Sequence, residues 1–334
     1  MTGQDGAYLA QLLLLEGYEV FGSARPASSH WRLAELGIAG RVRLRPVDLL
    51  DYESIAAAIR EVRPAEVYNF AAQSTLGESA RDPALAGELN GLAVARLLEA
   101  IRVIDPTIRF AQASSSQLFG RPEIVPQTET TPFKPESPYA IAKHYAHLTV
   151  GYYRAAHGIH ASAGILFNHE SPLRGPEFVT RKITSALAAI ALGGTAPLEL
   201  GNTLAQRDWG HARDYMRALR LMVRHETPGD YVIATGETHT VKEFANAAAR
   251  CLGLDLEWEG EAIARNRRTG ALVIEGNPAL YRDESGKPLI GNAAKARKTL
   301  GWEPATRFPE LVDEMAEADL ARLKAAPRQH EARG

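Results

Sequence analysis

Ser137-Pro138-Tyr139-Ala140-Ile141-Ala142-Lys143 reads as the opening turns of a helix. Ser137 is an N-cap type and Pro138 a first-turn type, so Tyr139 and Lys143 stand at i and i+4 on one face. A nearby ammonium favours a phenolate, which lets Tyr139 take a proton from a hydroxyl. Tyr-x-x-x-Lys is common by chance, but its setting adds meaning. The helix follows a β-rich run, residues 109–114, that leads into Ser114-Ser115-Ser116. Ser115 can hold the same substrate oxygen by a hydrogen bond. A packed Tyr and a surface Lys is the plainer alternative, and it fits this order of elements less well.

Working outward, the first half alternates β-rich runs (18–23, 41–46, 66–70, 109–114 and 161–166) with helical patterns (8–16, 52–62, 84–104 and 138–156). Such alternation predicts right-handed crossovers and an α/β, doubly wound parallel sheet with helices on both faces. In the second half, helices are expected at 178–193, 210–225 and 240–252, and a strand at 231–234. Met216, Leu219, Met222 and Val223 form a stripe best read as a core face. Thr240 starts the last of these helices and Gly253 follows its end. Residues 257–288, rich in charge and turn formers, are expected to be mostly loop, and residues 322–334 to fray. The expected organisation is a Rossmann-type cofactor domain of residues 1–167 plus about 210–236. A smaller C-terminal substrate-binding domain would take about 168–209 plus 237–325 and close a cleft at the carboxyl ends of the strands.

The chain opens Met1-Thr2-Gly3-Gln4-Asp5-Gly6 before a helical run. This matches the last two glycines of a Gly-x-x-Gly-x-x-Gly turn, where backbone can approach a pyrophosphate at a helix N-terminus. Gly3, Gln4, Asp5 and Gly6 are therefore candidate cofactor residues, an ordinary turn being the alternative. A dinucleotide fold needs a central strand before this turn. None is readable here, so the first strand is expected to be absent from this chain and the native product to start several residues upstream. Arg25, after the next strand, can pair with a ribose 2′-phosphate, which favours NADP over NAD; a surface Arg is the alternative. Asp48 and Leu49 sit where an adenine could be held.

The 334 residues suffice for one large α/β domain or two smaller ones. A net charge of −2 gives no basic footprint for nucleic acid and no polybasic membrane patch. Arg265, Arg267 and Arg268 cluster locally and read as a solvated loop. With one cysteine, Cys251, no disulfide can form within the chain, which suits a reducing cytoplasm. No apolar run reaches the ~18 residues of a membrane span, no secretory leader is readable, and no metal-ligand set is assigned.

The order of parts closely resembles the extended short-chain dehydrogenase/reductase family, and within it the GDP-mannose 4,6-dehydratases. The resemblance is carried by Thr2–Gly6, Val67-Tyr68-Asn69, Ala72-Gln73-Ser74, Glu129–Phe133 and Ser137–Lys143. More specific still are Gly164–Pro172 (GILFNHESP), Phe178–Ile183 (FVTRKI), Arg207–His211 (RDWGH) and Val232–Gly236 (VIATG). It implies that Tyr139 and Lys143 serve hydride chemistry with NADP. It further implies that Ala71, Ala72, Gln73 and Ser74 line the cofactor with His169 and Arg174, and that Asn168, Lys182, Arg207 and Arg282 hold a GDP-sugar. Lys and Arg suit a diphosphate, with surface pairing the alternative for Lys182 and Arg207. The resemblance also implies a homodimer or homotetramer, paired through helices at 84–104 and 138–156.

The implied reaction oxidises C4, removes the C5 proton, expels water from C6 and returns the hydride there. The family places a Glu two residues after the Ser/Thr for the C5 step; here that position is Gln117. An amide has no accessible protonation step at neutral pH, though it can position substrate or water. The alternatives are a GDP-sugar 4-epimerase or 4-ketoreductase, and a non-catalytic paralogue that binds a nucleotide-sugar.

Overall fold

The computed structural model describes residues 1–24, 29–73, 76–281 and 286–325. The chain divides into two compact units.

The first unit comprises Met1–His169, Asp208–Glu237 and Gly286–Ala305. Its strands are β1 (Val20–Ser23), β2 (Val42–Arg45), β3 (Glu66–Asn69), β4 (Arg109–Ser115), β5 (Ala161–Leu166) and β6 (Asp230–Ile233). Its main helices are α1 (Gln4–Leu15), α2 (Tyr52–Val62), α3 (Ala93–Ile104), α4 (Pro138–His157) and α5 (Ala212–Arg224). The expected parallel pairing is present in two ladders: β1 with β2, and β6-β5-β4-β3 in that order. No ladder among the described residues joins the two sets. β4 and β5 are buried on both faces, as their apolar and small residues require. Ile55 and Ile59 of α2, Leu98 and Ile101 of α3, Phe110 of β4 and Val150 of α4 share one core cluster. Asp51 accepts from the N–H groups of Glu53 (3.0 Å) and Ser54 (3.2 Å), fixing where α2 starts.

The single helix expected over residues 84–104 is broken. Pro83–Gly87 is α-helical, Glu88–Leu92 forms a π-turn, and α3 follows. The break points Asn90 inward, where polar partners take its side chain, whereas helical periodicity alone registers only the apolar face.

Residues 286–305, expected in the second unit, belong to the first. Trp302 is fully buried and donates through Nε1 to Asp214 O (2.8 Å), Ala305 N donates to Asp214 Oδ2 (2.9 Å), and Lys295 Nζ donates to Asp230 O (2.7 Å).

The second unit comprises Glu170–Arg207, Thr238–Ser285 and the chain from Thr306. Within residues 257–288, expected to be mostly loop, three strands form a sheet that the sequence did not suggest. Leu256–Glu259, Ile263–Asn266 and Leu272–Gly276 run antiparallel, and the last pairs parallel with Leu198–Leu200. The charges that suggested a loop are satisfied inside the sheet. Arg265 Nε meets Glu259 Oε1 at 2.8 Å, and Ala264, Val273 and Ile274 turn inward. Arg265 also donates to Gly270 O, Arg268 to Gly253 O, and Arg267 Nε lies 3.8 Å from Asp255. All three thus find partners, while Arg265 and Arg267 stay largely exposed.

Candidate active site

Lys143 is the buried centre of the site. It sits on α4, which Ser137 caps by accepting from Ala140 N (3.1 Å) with Pro138 in the first turn. Only 3% of Lys143 is exposed, and its Nζ donates to Ala113 O at 2.8 Å, two residues before Ser115 on β4. Nζ also lies 5.9 Å from the Tyr139 ring centroid. Burial pulls the ammonium down to about 8, and the negative charge of Asp5 opposes that shift.

Ser115, also buried, ends β4 and accepts from the Gln117 N–H at 3.2 Å. That bond occupies a lone pair of Oγ and orients the hydroxyl hydrogen elsewhere. Gln117 is half-buried on the short 3₁₀ turn Ser116–Phe119. Gly120, at φ +57, closes that turn where a Cβ would collide with Lys134 O.

Behind Lys143 is a polar relay that sequence reading missed. Asn69 Nδ2 donates to Gln112 Oε1 (2.9 Å), and Gln112 Nε2 donates to Ala113 O (2.9 Å), the carbonyl that also receives Lys143. Asn69 Oδ1 accepts from Ala71 N at 3.2 Å and so starts the 71–73 loop. The available signal was a polar residue at the same level of two adjacent strands.

The glycine turn leads into α1, with Gly3 as its N-cap in extended conformation. A Cβ on Gly6 would lie 2.7 Å from Met1 O, so only glycine fits that approach. Gln4 Nε2 donates to Asp5 Oδ1 (3.0 Å) and to His169 O (3.1 Å). His169 Nε2 lies 3.2 Å from Asp5 Oδ2, Nδ1 lies 2.7 Å from Phe167 O, and the ring stacks on Tyr215 at 4.8 Å. The fold thus brings Asp5 and His169 together, 164 positions apart in sequence. Asn168 precedes His169 on the strand Asn168–Glu170 and is half-buried. Ala71, Ala72 and Gln73 are half-buried in the loop after β3. Asp48 is exposed and caps Leu50 N (2.9 Å), whereas Leu49 packs against the core cluster.

In the second unit, the Arg174 guanidinium lies 3.5 Å over the Phe178 ring, with Nε 3.1 Å from Glu170 Oε2. Thr180 Oγ1 donates to the same carboxylate oxygen at 2.6 Å. Lys182 lines a groove of ≈ 400 Å³ with Ser185, Pro197 and Glu199. Arg207 is half-buried and donates to Gln206 O (2.7 Å). Arg25, Ser74 and Arg282 lie outside the described residues. A cavity of ≈ 530 Å³ at the amino ends of β3 and β4 contains none of the candidate residues.

The parallel sheet, the glycine turn and the order of elements, with the helix Pro138–His157 following the strand Arg109–Ser115, are those of an extended short-chain dehydrogenase/reductase. A Thermus thermophilus UDP-glucose 4-epimerase, solved in complex with NAD, superposes with a TM-score of 0.80 at 25% identity, covering 98% of this chain and 97% of its own. The Pseudomonas aeruginosa protein RMD, solved with NADPH, shares the fold at a TM-score of 0.76 and 21% identity, over 96% of this chain and 95% of its own.

Sequence similarity narrows the class. The family model for GDP-mannose 4,6 dehydratase matches residues 1–315, and the Sinorhizobium fredii GDP-mannose 4,6-dehydratase is 45% identical over 97% of this chain and 96% of its own. The chain belongs to the GDP-mannose 4,6-dehydratase family. That membership favours dehydration over the epimerase, ketoreductase and non-catalytic readings.

Proposed function

We propose that the protein converts GDP-mannose to GDP-4-keto-6-deoxymannose with bound NADP. The carrying observation is the buried Lys143, fixed to Ala113 O beside Ser115 and one helical turn from Tyr139, in a chain that matches the family model almost throughout.

The residues present fit a dinucleotide. The turn at Gly3–Gly6 leaves no room for a Cβ on Gly6, and Gln73 Oε1 is buried with no donor among the described residues. Gly3, Gln4, Asp5 and Gly6 would hold the pyrophosphate end. Asp48 and Leu49 would border the adenine, and Ala71–Gln73, His169 and Arg174 would line the remainder. Arg25 and Ser74 complete the reading from sequence, and Arg25 is the basis for NADP rather than NAD. When bound, the nicotinamide supplies the hydride acceptor and donor.

The chain supplies the proton chemistry. Tyr139 takes the O4 proton, the Lys143 ammonium favours the phenolate, and Ser115 donates to O4. Asn168, Lys182, Arg207 and Arg282 are assigned to the GDP-sugar, the cationic side chains matching its diphosphate. Gln117 stands where the C5 base is expected and is assigned to positioning, so elimination is the slow part of the cycle.

Subunits are proposed to pair through α3 and α4. Ile141, Tyr145, Leu148 and Tyr152 are exposed on α4 at helical spacing, and Leu92 and Val103 are exposed on the α3 side. The single cysteine fits a cytoplasmic enzyme. No helix among the described residues is long and apolar enough to cross a membrane.

Incubation with GDP-mannose and NADP, followed by mass and NMR analysis, tests the reading. The expected product is a 4-keto-6-deoxy sugar formed without net NADPH. A product that keeps its 6-hydroxyl would overturn it.

A further inference from the structure

We propose that Asp319 is a positioning residue. From the helix Phe308–Ala325 it aims two guanidinium groups at the backbone of the 171–174 turn, and so sets where Arg174 stands to meet the bound cofactor. The proposal rests on the reading of Arg174 as a cofactor residue.

Asp319 is only 3% exposed, and both of its oxygens are taken. Oδ2 accepts from Arg181 Nε at 3.0 Å and from Thr184 Oγ1 at 2.5 Å. Oδ1 accepts from Arg181 Nη2 and from Arg322 Nη1, each at 2.8 Å. Arg181 is itself buried, on the helix Val179–Ala191. Its fork to Asp319 is bidentate, which sets the plane of the guanidinium. In that plane Nη1 donates to two carbonyls, Pro172 O at 2.6 Å and Arg174 O at 2.7 Å. Arg322 Nη2 donates to Pro172 O as well, at 2.8 Å. One carboxylate therefore orients both guanidinium groups that reach the turn.

A buried ion pair is a poor means of stability, since well-packed apolar side chains of similar volume serve as well or better. What apolar side chains cannot do is donate to carbonyls. The turn's own bonds run back to Ser171: Leu173 N donates to its Oγ (3.1 Å) and Arg174 N to its O (3.0 Å). These bonds fix the shape of the turn, and the guanidinium groups tie its carbonyls to two helices. Arg174 is thus held on both sides of its Cα, by Ser171 at the N–H and by Arg181 at the carbonyl. Its own guanidinium, between the Phe178 ring and Glu170, keeps its aim only while that backbone stays in place. The helix Phe308–Ala325, remote in sequence from every other candidate residue, becomes part of the binding machinery through Asp319.

The test measures NADPH affinity by cofactor fluorescence, together with melting temperature. The proteins are wild type, Arg174→Ala, the paired Arg181→Met/Asp319→Leu, Arg322→Ala, and each of the last two combined with Arg174→Ala. The paired change removes both buried charges at once, so its melting temperature should stay near that of wild type. Its NADPH affinity should nevertheless fall about tenfold, the scale of one charge-assisted hydrogen bond. In the Arg174→Ala background the same change should cost no further affinity, because the side chain being positioned is gone. A purely structural role would give the same loss in both backgrounds, and that result would overturn the proposal. So would a paired variant that binds NADPH like wild type. Should the paired variant not fold, Arg322→Ala decides by the same comparison, with a loss of about threefold expected. An Arg174→Ala variant that binds NADPH undiminished would overturn the cofactor reading of Arg174, and this proposal with it.

Discussion

At Lys143 two demands conflict. Supporting a phenolate requires a charge, and burial opposes one. The ammonium is held by Ala113 O and favoured by Asp5, yet burial still brings it down to about 8 from an ordinary 10.5. Activity should therefore fall as pH rises through about 8. Between about 8 and 10.5 the unfolded chain binds the proton that the folded chain has released, so this group's contribution to stability rises with pH across that window. Lys143→Met should lower kcat by roughly 10²–10⁴ while raising the melting temperature at neutral pH, since it removes a buried charge. Gln112 Nε2 still serves Ala113 O in that variant. The stability gap between variant and wild type should narrow from pH 8 to 10.5 in denaturation series; a constant gap would separate the effect from the ammonium. Gln117→Glu should speed formation of the 4-keto-6-deoxy product, by up to ~10²–10⁴, the worth of one general base. An unchanged rate would assign the C5 proton transfer to another group. Tyr139, Lys143 and Ser115 were legible in the sequence because i,i+4 spacing and strand order express them locally. Asn69, Gln112 and Asn90 were not, because Asn69 and Gln112 meet across strands from 43 residues apart and Asn90 meets its loop partner from 17 residues away.

Elements with local start signals were read closely. β5 lies at the residues expected, and α1, which begins at Gln4, starts earlier than the apolar pattern because the glycine turn caps it. The helix Val241–Cys251 shows how complete such a signal can be. Thr240 Oγ1 accepts from Glu243 N (3.0 Å), and Glu243 Oε2 accepts from Thr240 N (2.7 Å), a reciprocal capping box. Thr240→Ala should lower stability by about 1 kcal/mol without altering NADPH affinity, as chemical denaturation and cofactor titration would show. The sheet from Leu256 to Gly276 was illegible for the opposite reason. Its charges pair across strands, so each strand alone looks like a solvated loop, and its parallel partner Leu198–Leu200 is far away in sequence. The same holds for residues 286–305, whose membership in the first unit depends on Trp302 reaching Asp214 O.

On the scale of the whole molecule, the exposed apolar residues are unevenly placed. Ile141, Tyr145, Leu148 and Tyr152 fall at i, i+4, i+7 and i+11 on α4, and Leu148 and Tyr152 are each 59% exposed. Leu92, just before α3, and Val103, near its end, are exposed as well. Single exposed apolar residues are ordinary, but four at helical spacing along one helix mark a surface built to be covered. A second copy satisfies this best, because a two-fold axis lays the same stripe on itself and every apolar residue finds an apolar partner. The flanking charges fit a rim: Arg96 pairs with Glu88 at 2.8 Å and Arg102 with Glu99 at 2.7 Å, both within the chain, so neither demands a partner's charge. The wild type should therefore elute as a dimer or tetramer by light scattering at micromolar concentration. Leu148→Glu should halve the mass of the paired species, because pairing through this face would bury an unpaired carboxylate. That variant leaves Lys143, Tyr139 and Ser115 in place, so NADPH affinity should persist in the dissociated form unless the 71–73 loop depends on pairing. Loss of affinity together with dissociation would tie the exposed face of α4 to the cofactor wall. A monomeric wild type would remove the reason for the stripe.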